Sequence, residues 1–260
     1  MGASREVTPY SRLAEVYDDV VVDPCYGRWA DHLDRVWRAD RRAVRRVLDV
    51  CCGTGLLAVE LTALGYEVVG VDASAQMLAR AGLRLGDGVR LLHRQLPDLG
   101  DDDEFDAAVS TFDSLNYLSP PHLRATMVAV ARLLRPGGWF VFDLHTSALV
   151  DFTLATPVVQ GESAGYRFTI TTAVDLTDRS CDTWSDLTPV ADGDGFVEHH
   201  HQWFHPDELV KESLARAGFT LLRVAEEYGE DPVGPGTLRA TWTARLDGPV
   251  AVPVGLTSQG

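Results

Sequence analysis

The sequence predicts an α/β protein. Its core is a doubly wound, mostly parallel sheet of seven strands, with a helical lid before it and an antiparallel insertion after the fifth strand. Three observations lead there. Apolar runs of strand length alternate with helix-period stretches between residues 46 and 145, which implies right-handed βαβ units and a parallel sheet. Near residue 150 the texture changes to stretches that read as an antiparallel meander. At 207 the helix–strand pattern resumes and closes on two further strand-like runs.

The elements follow in order. "YSRLAEVYDDV" and "YGRWADHLDRVW" carry apolar and aromatic residues at helical spacing and make a helical segment within 1–44, which the family resemblance given below identifies with a lid. "RVLDV" is a buried strand, "GLLAVELTALG" a helix closed by Gly65, and "YEVVGVD" a second strand. "SAQMLARAGLRL" is a helix with Ser74 as its N-cap. "VRLLHRQL" and "FDAAVSTF" are the third and fourth strands. "PPHLRATMVAVARLL" is a helix opened by Pro120 and Pro121, broken by "RPGG" before the fifth strand, "WFVFDLH". "GYRFTITTAVDL", "RSCDTWSDLTPV" and "FVEHHHQWF" form the inserted meander, with the turn "DGDG" before the last. The helix "DELVKESLARAG" and the strands "FTLLRVAEEY" and "TLRATWTARL" complete the core. The expected division is a core of 45–148 and 205–246, an antiparallel insertion of 149–204, which the family resemblance given below would set over the substrate site, and a frayed tail of 247–260.

Composition narrows the function classes. A formal net charge of −15 argues against a nucleic-acid partner. The one basic cluster, "RVWRADRRAVRR", reads as the solvated face of a helix. No apolar run approaches the roughly 20 residues of a membrane span. "MGASREVTPYSRL" has no apolar segment of a signal peptide, and Glu6 spoils a myristoylation motif. Cys25, Cys51, Cys52 and Cys181 lack C-x-x-C spacing, which fits reduced thiols in a cytoplasm. Lys211 is the only lysine among many arginines, a bias suggesting a GC-rich genome.

The stretch "LDVCCGTGLLA" places glycines between a strand and a helix, where a ligand approaches the backbone. Without a lysine it is no phosphate loop. Gly53, Gly55 and Ala58 formally satisfy the dinucleotide fingerprint. Asp49, however, sits where a pyrophosphate would gain nothing from a negative neighbour. Its carboxylate suits an amine-bearing ligand.

Four segments in order, "LDVCCGTGLL", "VVGVDAS", "FDAAVSTFDSLNYL" and "LLRPGGWFVFDLH", resemble the class I S-adenosylmethionine-dependent methyltransferases, whose core is Rossmann-like. The resemblance covers most of the chain. It is closest to the small-molecule subgroup with an inserted antiparallel sheet, which includes amino-sugar N-methyltransferases. The family's acid-x-Gly-x-Gly-x-Gly loop falls on Asp49, Cys51, Gly53 and Gly55, with Cys51 replacing the first glycine.

The resemblance implies S-adenosylmethionine as cofactor and assigns its contacts. Gly53 and Gly55 would admit the methionyl part, and Asp72 would accept from both ribose hydroxyls. The plainer role for Asp72 is an acid near the helix start at Ser74. Ala73, Met77, Gln95, Leu96 and Phe112 would surround the adenosine, although the family has an acid where this chain has Gln95. Met77 reads equally as core. Tyr17, Tyr26 and Trp29 would close over the methionyl end, or simply seal the sheet. Tyr10, Asp113, Asn116 and Tyr117 would hold the acceptor.

His145 ends the fifth strand, where open α/β sheets place ligands, and His201 lies on the meander's last strand. They are the first and second candidates for a general base. "EHHHQ" suggests a metal tract. On a strand, though, His199 and His201 face one way and His200 the other, and no metal is expected. "FDSLNYL" stands where base-modifying enzymes often carry Asn/Asp-Pro-Pro-aromatic, so a small-molecule acceptor is expected. A bacterial secondary-metabolite tailoring enzyme, monomer or homodimer, fits these readings. Two alternatives stay open: a non-methylating reaction in the same pocket, and a nicotinamide-dependent oxidoreductase.

Overall fold

The computed structural model describes residues 5–20, 25–40, 42–100 and 103–247. The expected tail falls, from residue 248 on, outside the described residues. In chain order, β1 (Arg5–Val7) leads into α1 (Leu13–Val20) and α2 (Tyr26–Arg38). Next come β2 (Arg46–Val50), α3 (Leu56–Ala63), β3 (Glu67–Asp72), α4 (Ala75–Leu85) and β4 (Arg90–His93). Beyond them lie β5 (Phe105–Ser110), α5 (Pro120–Leu133) and β6 (Leu134–His145). The inserted part holds α6 (Ser147–Ala155), β7 (Val158–Ser163), β8 (Tyr166–Asp175), β9 (Ser180–Pro189) and β10 (Phe196–Trp203). The chain closes on α7 (Asp207–Arg216), β11 (Phe219–Glu226) and β12 (Arg239–Leu246).

The central sheet has seven strands in the order β11-β12-β6-β5-β2-β3-β4. β2 through β6 pair in parallel, and β12 runs antiparallel to β6. Both neighbours of β2 are later in the chain, so the strand order reverses beside it. The carboxyl end of β2 is therefore the switch point where such sheets open a crevice.

Alternating side chains sort the core into two layers. Leu48, Ala108, Phe140 and Phe142 face Leu123, Met127 and Val130 of α5 and Val210 and Leu214 of α7. Val47, Ala107, Val109 and Val141 face Trp29 and Leu33 of α2 and Leu57 and Leu61 of α3. The predicted break "RPGG" is a bulge within β6: the register jumps between Phe105 and Ala107 opposite it, and Gly137 takes φ 79°.

Three elements have no counterpart in the sequence reading. β1 is only three residues long, too short for a period. α6 is capped by the Thr146 side chain, which accepts from the Ala148 N–H, yet it buries none of its residues. β7 carries "VVQGES", almost wholly exposed and without alternation.

β1 matters despite its length. It pairs in parallel with β10 and so extends the inserted sheet to five strands, β1-β10-β9-β8-β7. The first residues of the lid thus belong to the roof. Glu198 of β10, 0% exposed, then accepts the backbone N–H groups of Tyr10 (2.6 Å), Ser11 (3.1 Å), Arg12 (3.0 Å) and Leu13 (2.9 Å). A helix leaves its first N–H groups without partners. This carboxylate supplies the cap for α1 from a distant strand. Leu13 then packs with Leu187 and Phe196 of the sheet.

Replacing Glu198 with Ala strands these donors in a buried setting. Stability should fall by about 2 kcal/mol, read as a lower urea midpoint at pH 7. Glu198→Gln keeps one accepting oxygen and should lose less; equal midpoints for Glu198→Ala and the parent would refute the cap.

Candidate functional site

The site opens where β2 ends. Cys51, Gly53 and Gly55 all take positive φ, 61°, 54° and 80°, to turn the chain into α3. Cys51 pays the steric penalty of that region, about 1 kcal/mol for a residue with a Cβ. The two glycines differ. A Cβ on Gly53 would meet nothing within 4 Å, so its open side faces free space at the loop. A Cβ on Gly55 would lie 2.7 Å from Leu85 Cδ1 and 3.2 Å from the Ala81 Cβ. Gly55 thus also serves the packing of α3 against α4, where a side chain would crowd Leu85 and Ala81.

Two carboxylates frame the loop. Asp72, at the end of β3, accepts from the Gly53 N–H (2.8 Å) and the Ser74 N–H (2.8 Å), which ties the loop to the start of α4. Burial raises its pKa, and the N–H groups of Ser74, Gly53 and Ala73 pull it back. Asp49 is 1% exposed, and its Oδ2 has no partner. Burial, and secondarily the Asp72 carboxylate, push its pKa up to about 8. A buried carboxyl with an orphaned oxygen is costly unless a positive group meets it. The free space at Gly53, Asp72 and that orphaned oxygen together fit a ligand carrying a cation and a diol.

Aromatic residues wall the far side. Phe112 stacks on Tyr26 (6.2 Å, 13°) and tilts against Trp29 (5.8 Å). Trp29 itself is 1% exposed and stacked on Tyr228, so it backs this wall from within the core instead of closing over a ligand. Tyr17 meets the Tyr10 ring edge to face at 6.0 Å. Met77 is buried, Ala73 is exposed at the loop, and Gln95 and Leu96 follow β4, with Leu96 packed on the core and Gln95 exposed.

A second polar cluster is built on the ends of β5 and β6. Phe112 and Asp113 both adopt left-handed φ, 62° and 49°. The buried Asp143 of β6 receives both their N–H groups and so holds the strained turn in place. Burial raises the Asp143 pKa to about 6, opposed by Arg239. Asp113 meets His145 Nε2 (3.2 Å), Arg239 Nη1 (3.3 Å) and Gln202 Nε2 (3.1 Å). Burial would raise its pKa, but these partners hold it below the usual carboxylate range. Arg239 also lies over the rings of Trp29 (4.9 Å) and Phe112 (4.7 Å). Tyr117 bonds the Tyr10 hydroxyl (2.7 Å) and His200 Nδ1 (3.0 Å).

Two sequence assignments need correction. Asn116, taken as an acceptor contact, is 0% exposed; its Nδ2 donates to Trp203 O (2.7 Å) and its Oδ1 accepts from the His145 N–H (3.1 Å). Both amide atoms are consumed in bridging β6 to β10. His201 does not reach the crevice. It shares Asp182 Oδ1 with His199 (2.9 and 2.7 Å) on the outer face of the inserted sheet, while strand alternation turns Glu198 and His200 inward. The sequence analysis gives Asp143, Gln202, Glu198, His200 and Arg239 no part in the site. Glu198, His200 and Gln202 lie within the tract "EHHHQ", and Asp143 is an acid inside the apolar run "WFVFDL"; Arg239 carries no motif. Among the described residues no group of three His, Cys, Asp or Glu side chains is arranged to hold a metal, and no helix is long and apolar enough to cross a membrane.

Comparison with known proteins agrees with this layout. A family model described as a methyltransferase domain matches residues 47–138. "Putative methyltransferase YqeM" of Bacillus subtilis (strain 168) is 31% identical over 229 residues, covering 84% of this chain and 90% of the relative. The crystal structure of an S-adenosylmethionine-dependent methyltransferase from Clostridium acetobutylicum superposes with a TM-score of 0.81 at 23% identity, covering 92% of this chain and 99% of the other. The sugar N-methyltransferase KedS8 from Streptoalloteichus gives a TM-score of 0.67 at 21% identity, covering 93% and 94%.

Asp49 yields a pH prediction. With its folded pKa raised to about 8, it is protonated in the free protein near pH 7, and a bound cation favours its ionised form. Binding of S-adenosylmethionine should therefore release a proton and tighten as pH rises from 6 towards 8. Calorimetric titrations in buffers of different ionisation enthalpy would show the release, and Asp49→Asn would abolish it. Heats independent of buffer would rule the linkage out.

Proposed function

This chain belongs to the class I S-adenosylmethionine-dependent methyltransferases, and on that premise we propose that it methylates an O, N or C atom of a small molecule in bacterial secondary metabolism. When bound, the cofactor supplies an electrophilic methyl group on a sulfonium. We assign the free space at Gly53 and the carboxylates of Asp49 and Asp72 to holding it. Tyr17, Tyr26 and Phe112 screen it from water.

The observation that carries the acceptor reading is the Asp113–His145 pair at the strand ends beside this cradle. With Nε2 facing Asp113, the ring keeps its proton there and leaves Nδ1 as the basic atom. Nδ1 is buried without a protein partner. A proton lost from an acceptor hydroxyl or ammonium would move to it, and Asp113 would stabilise the resulting imidazolium. Arg239 and Gln202 hold Asp113 in place.

A small acceptor is favoured because the roof comes down within hydrogen-bonding distance of the floor. Gln202 of β10 reaches Asp113, and Tyr10 reaches Tyr117. The likeness to a sugar N-methyltransferase points the same way. A net charge of −15 disfavours a nucleic-acid acceptor. The unpaired Asp49 oxygen beside the glycine loop also disfavours a dinucleotide pyrophosphate. We place the enzyme in the cytoplasm, as a monomer or homodimer.

Transfer of labelled methyl from S-adenosylmethionine into the small-molecule fraction of a bacterial extract tests the activity. No labelled product would favour a non-methylating use of the pocket. Asp72→Ala should weaken S-adenosylhomocysteine binding by about 1.5–3 kcal/mol in titration; unchanged affinity removes it from the site. His145→Ala should lower turnover roughly a hundredfold with cofactor affinity kept. Wild-type turnover in that variant would mean that transfer proceeds by positioning alone.

A further inference from the structure

Beyond the base and the cofactor contacts lies a chain of buried polar groups on the inner face of β10. His200 is 6% exposed. Its Nδ1 is 3.0 Å from the Tyr117 hydroxyl, which is 2.7 Å from the Tyr10 hydroxyl. Its Nε2 is 3.6 Å from Glu198 Oε2. The rings of Tyr10 and His200 meet edge to face at 5.1 Å.

The Glu198 carboxylate facing Nε2 favours one direction for these hydrogens by its charge, without itself forming a hydrogen bond. Burial lowers the His200 pKa to about 4, so the imidazole is neutral near pH 7. A neutral ring carries one proton, and the facing carboxylate draws it to Nε2. Nδ1 is then an acceptor, and the Tyr117 hydroxyl must donate to it. With that hydrogen committed, the Tyr117 oxygen can only accept from Tyr10. The Tyr10 hydrogen is then committed as well, and its oxygen is left with lone pairs alone. Burial raises the pKa of both phenols, and Asp113 adds a smaller push in the same direction.

We propose that His200 is a positioning residue that orients the Tyr10–Tyr117 pair so that the pocket presents the Tyr10 oxygen as a hydrogen-bond acceptor. It thereby selects small molecules bringing a hydroxyl or amine hydrogen to that point over those bringing a carboxylate or phosphate. The inference rests on the reading of this pocket as the acceptor site. A phosphate or carboxylate oxygen has no hydrogen to give Tyr10 and would meet lone pairs with lone pairs. A hydroxyl or amine satisfies them.

Two measurements test it, one of them independent of turnover. Nitrogen-15 NMR of the ring at pH 7, assigned with His200→Asn, should show the proton on Nε2 with Nδ1 accepting, and Tyr117→Phe should shift Nδ1. A proton on Nδ1 overturns the proposal even if methyl transfer is observed. The second measurement uses whichever acceptor the labelled-transfer assay yields. His200→Leu should lower its kcat/KM roughly tenfold, the loss of about one hydrogen bond, at unchanged S-adenosylhomocysteine affinity. His200→Asn, whose amide oxygen can stand in for Nδ1, should restore most of the loss. Equal loss in both variants would make His200 a proton acceptor, and loss in neither would make it plain packing; either overturns a positioning role. Should no methyl transfer occur at all, the NMR result still decides the hydrogen-bond direction.

Discussion

The arrangement of this protein depends most on one buried carboxylate. Glu198 sits in the middle of β10 and accepts four backbone N–H groups from residues 10 to 13. A fully buried charge is tolerable only when it is this well met. The consequence is structural economy. One side chain caps α1 and binds the first residues of the lid to the inserted sheet, while α2 packs on the parallel one. Tyr10 stands where it does because this carboxylate takes its backbone N–H.

The same device recurs at the ends of the parallel strands. Asp72 takes the N–H groups of Gly53 and Ser74, and Asp143 takes those of Phe112 and Asp113. Asp143 supports two left-handed non-glycine residues, each costing about 1 kcal/mol if unsupported, while Asp72 ties the glycine loop to the start of α4. Asp49 breaks the pattern. It is buried like the others, but one of its oxygens receives nothing from the protein. Native structures rarely leave such an atom unmet. The contrast with Asp72, Asp143 and Glu198, each accepting at least two backbone N–H groups, makes a ligand the simplest account of it.

How far the sequence told this in advance depends on what each signal measures. Parallel strands buried on both faces read as continuous apolar runs, and the glycine loop after β2 interrupts such a run, so the sheet and its switch point were legible. Parity on an edge of the insertion was not. Three consecutive histidines each have a candidate's chemistry. Which one faces inward follows from the pairing of Glu198 with Ser185 and Val7 with Glu198, and β1 is too short to announce itself. Hence the sequence favoured His201 where the structure brings His200. Asn116 misled for a related reason. Its polarity suggested a ligand, while the backbone groups that consume it lie on β6 and β10, far apart in the chain. Arg239, also distant, had no motif at all.

One residue joins the two halves of the site. The Tyr10 N–H goes to Glu198 on the inserted sheet, its carbonyl accepts from Ser74 Oγ at the start of α4, and its hydroxyl meets Tyr117 below. Tyr10 holds all three with φ at 57°, a conformation that glycine adopts far more easily. A glycine there would lose the ring and the hydroxyl, so the side chain must outweigh the backbone strain. Ser74 is also the neighbour that Asp72 holds, and Tyr117 is the neighbour of the acceptor pocket. On the proposed reading, an event that orders the loop around Asp72 also orders the group facing the acceptor. Affinity for cofactor and affinity for acceptor are then linked through a shared element, and the linkage is reciprocal. The inserted sheet can vary its inner face to change the acceptor, provided that Glu198 keeps Tyr10 where both halves need it.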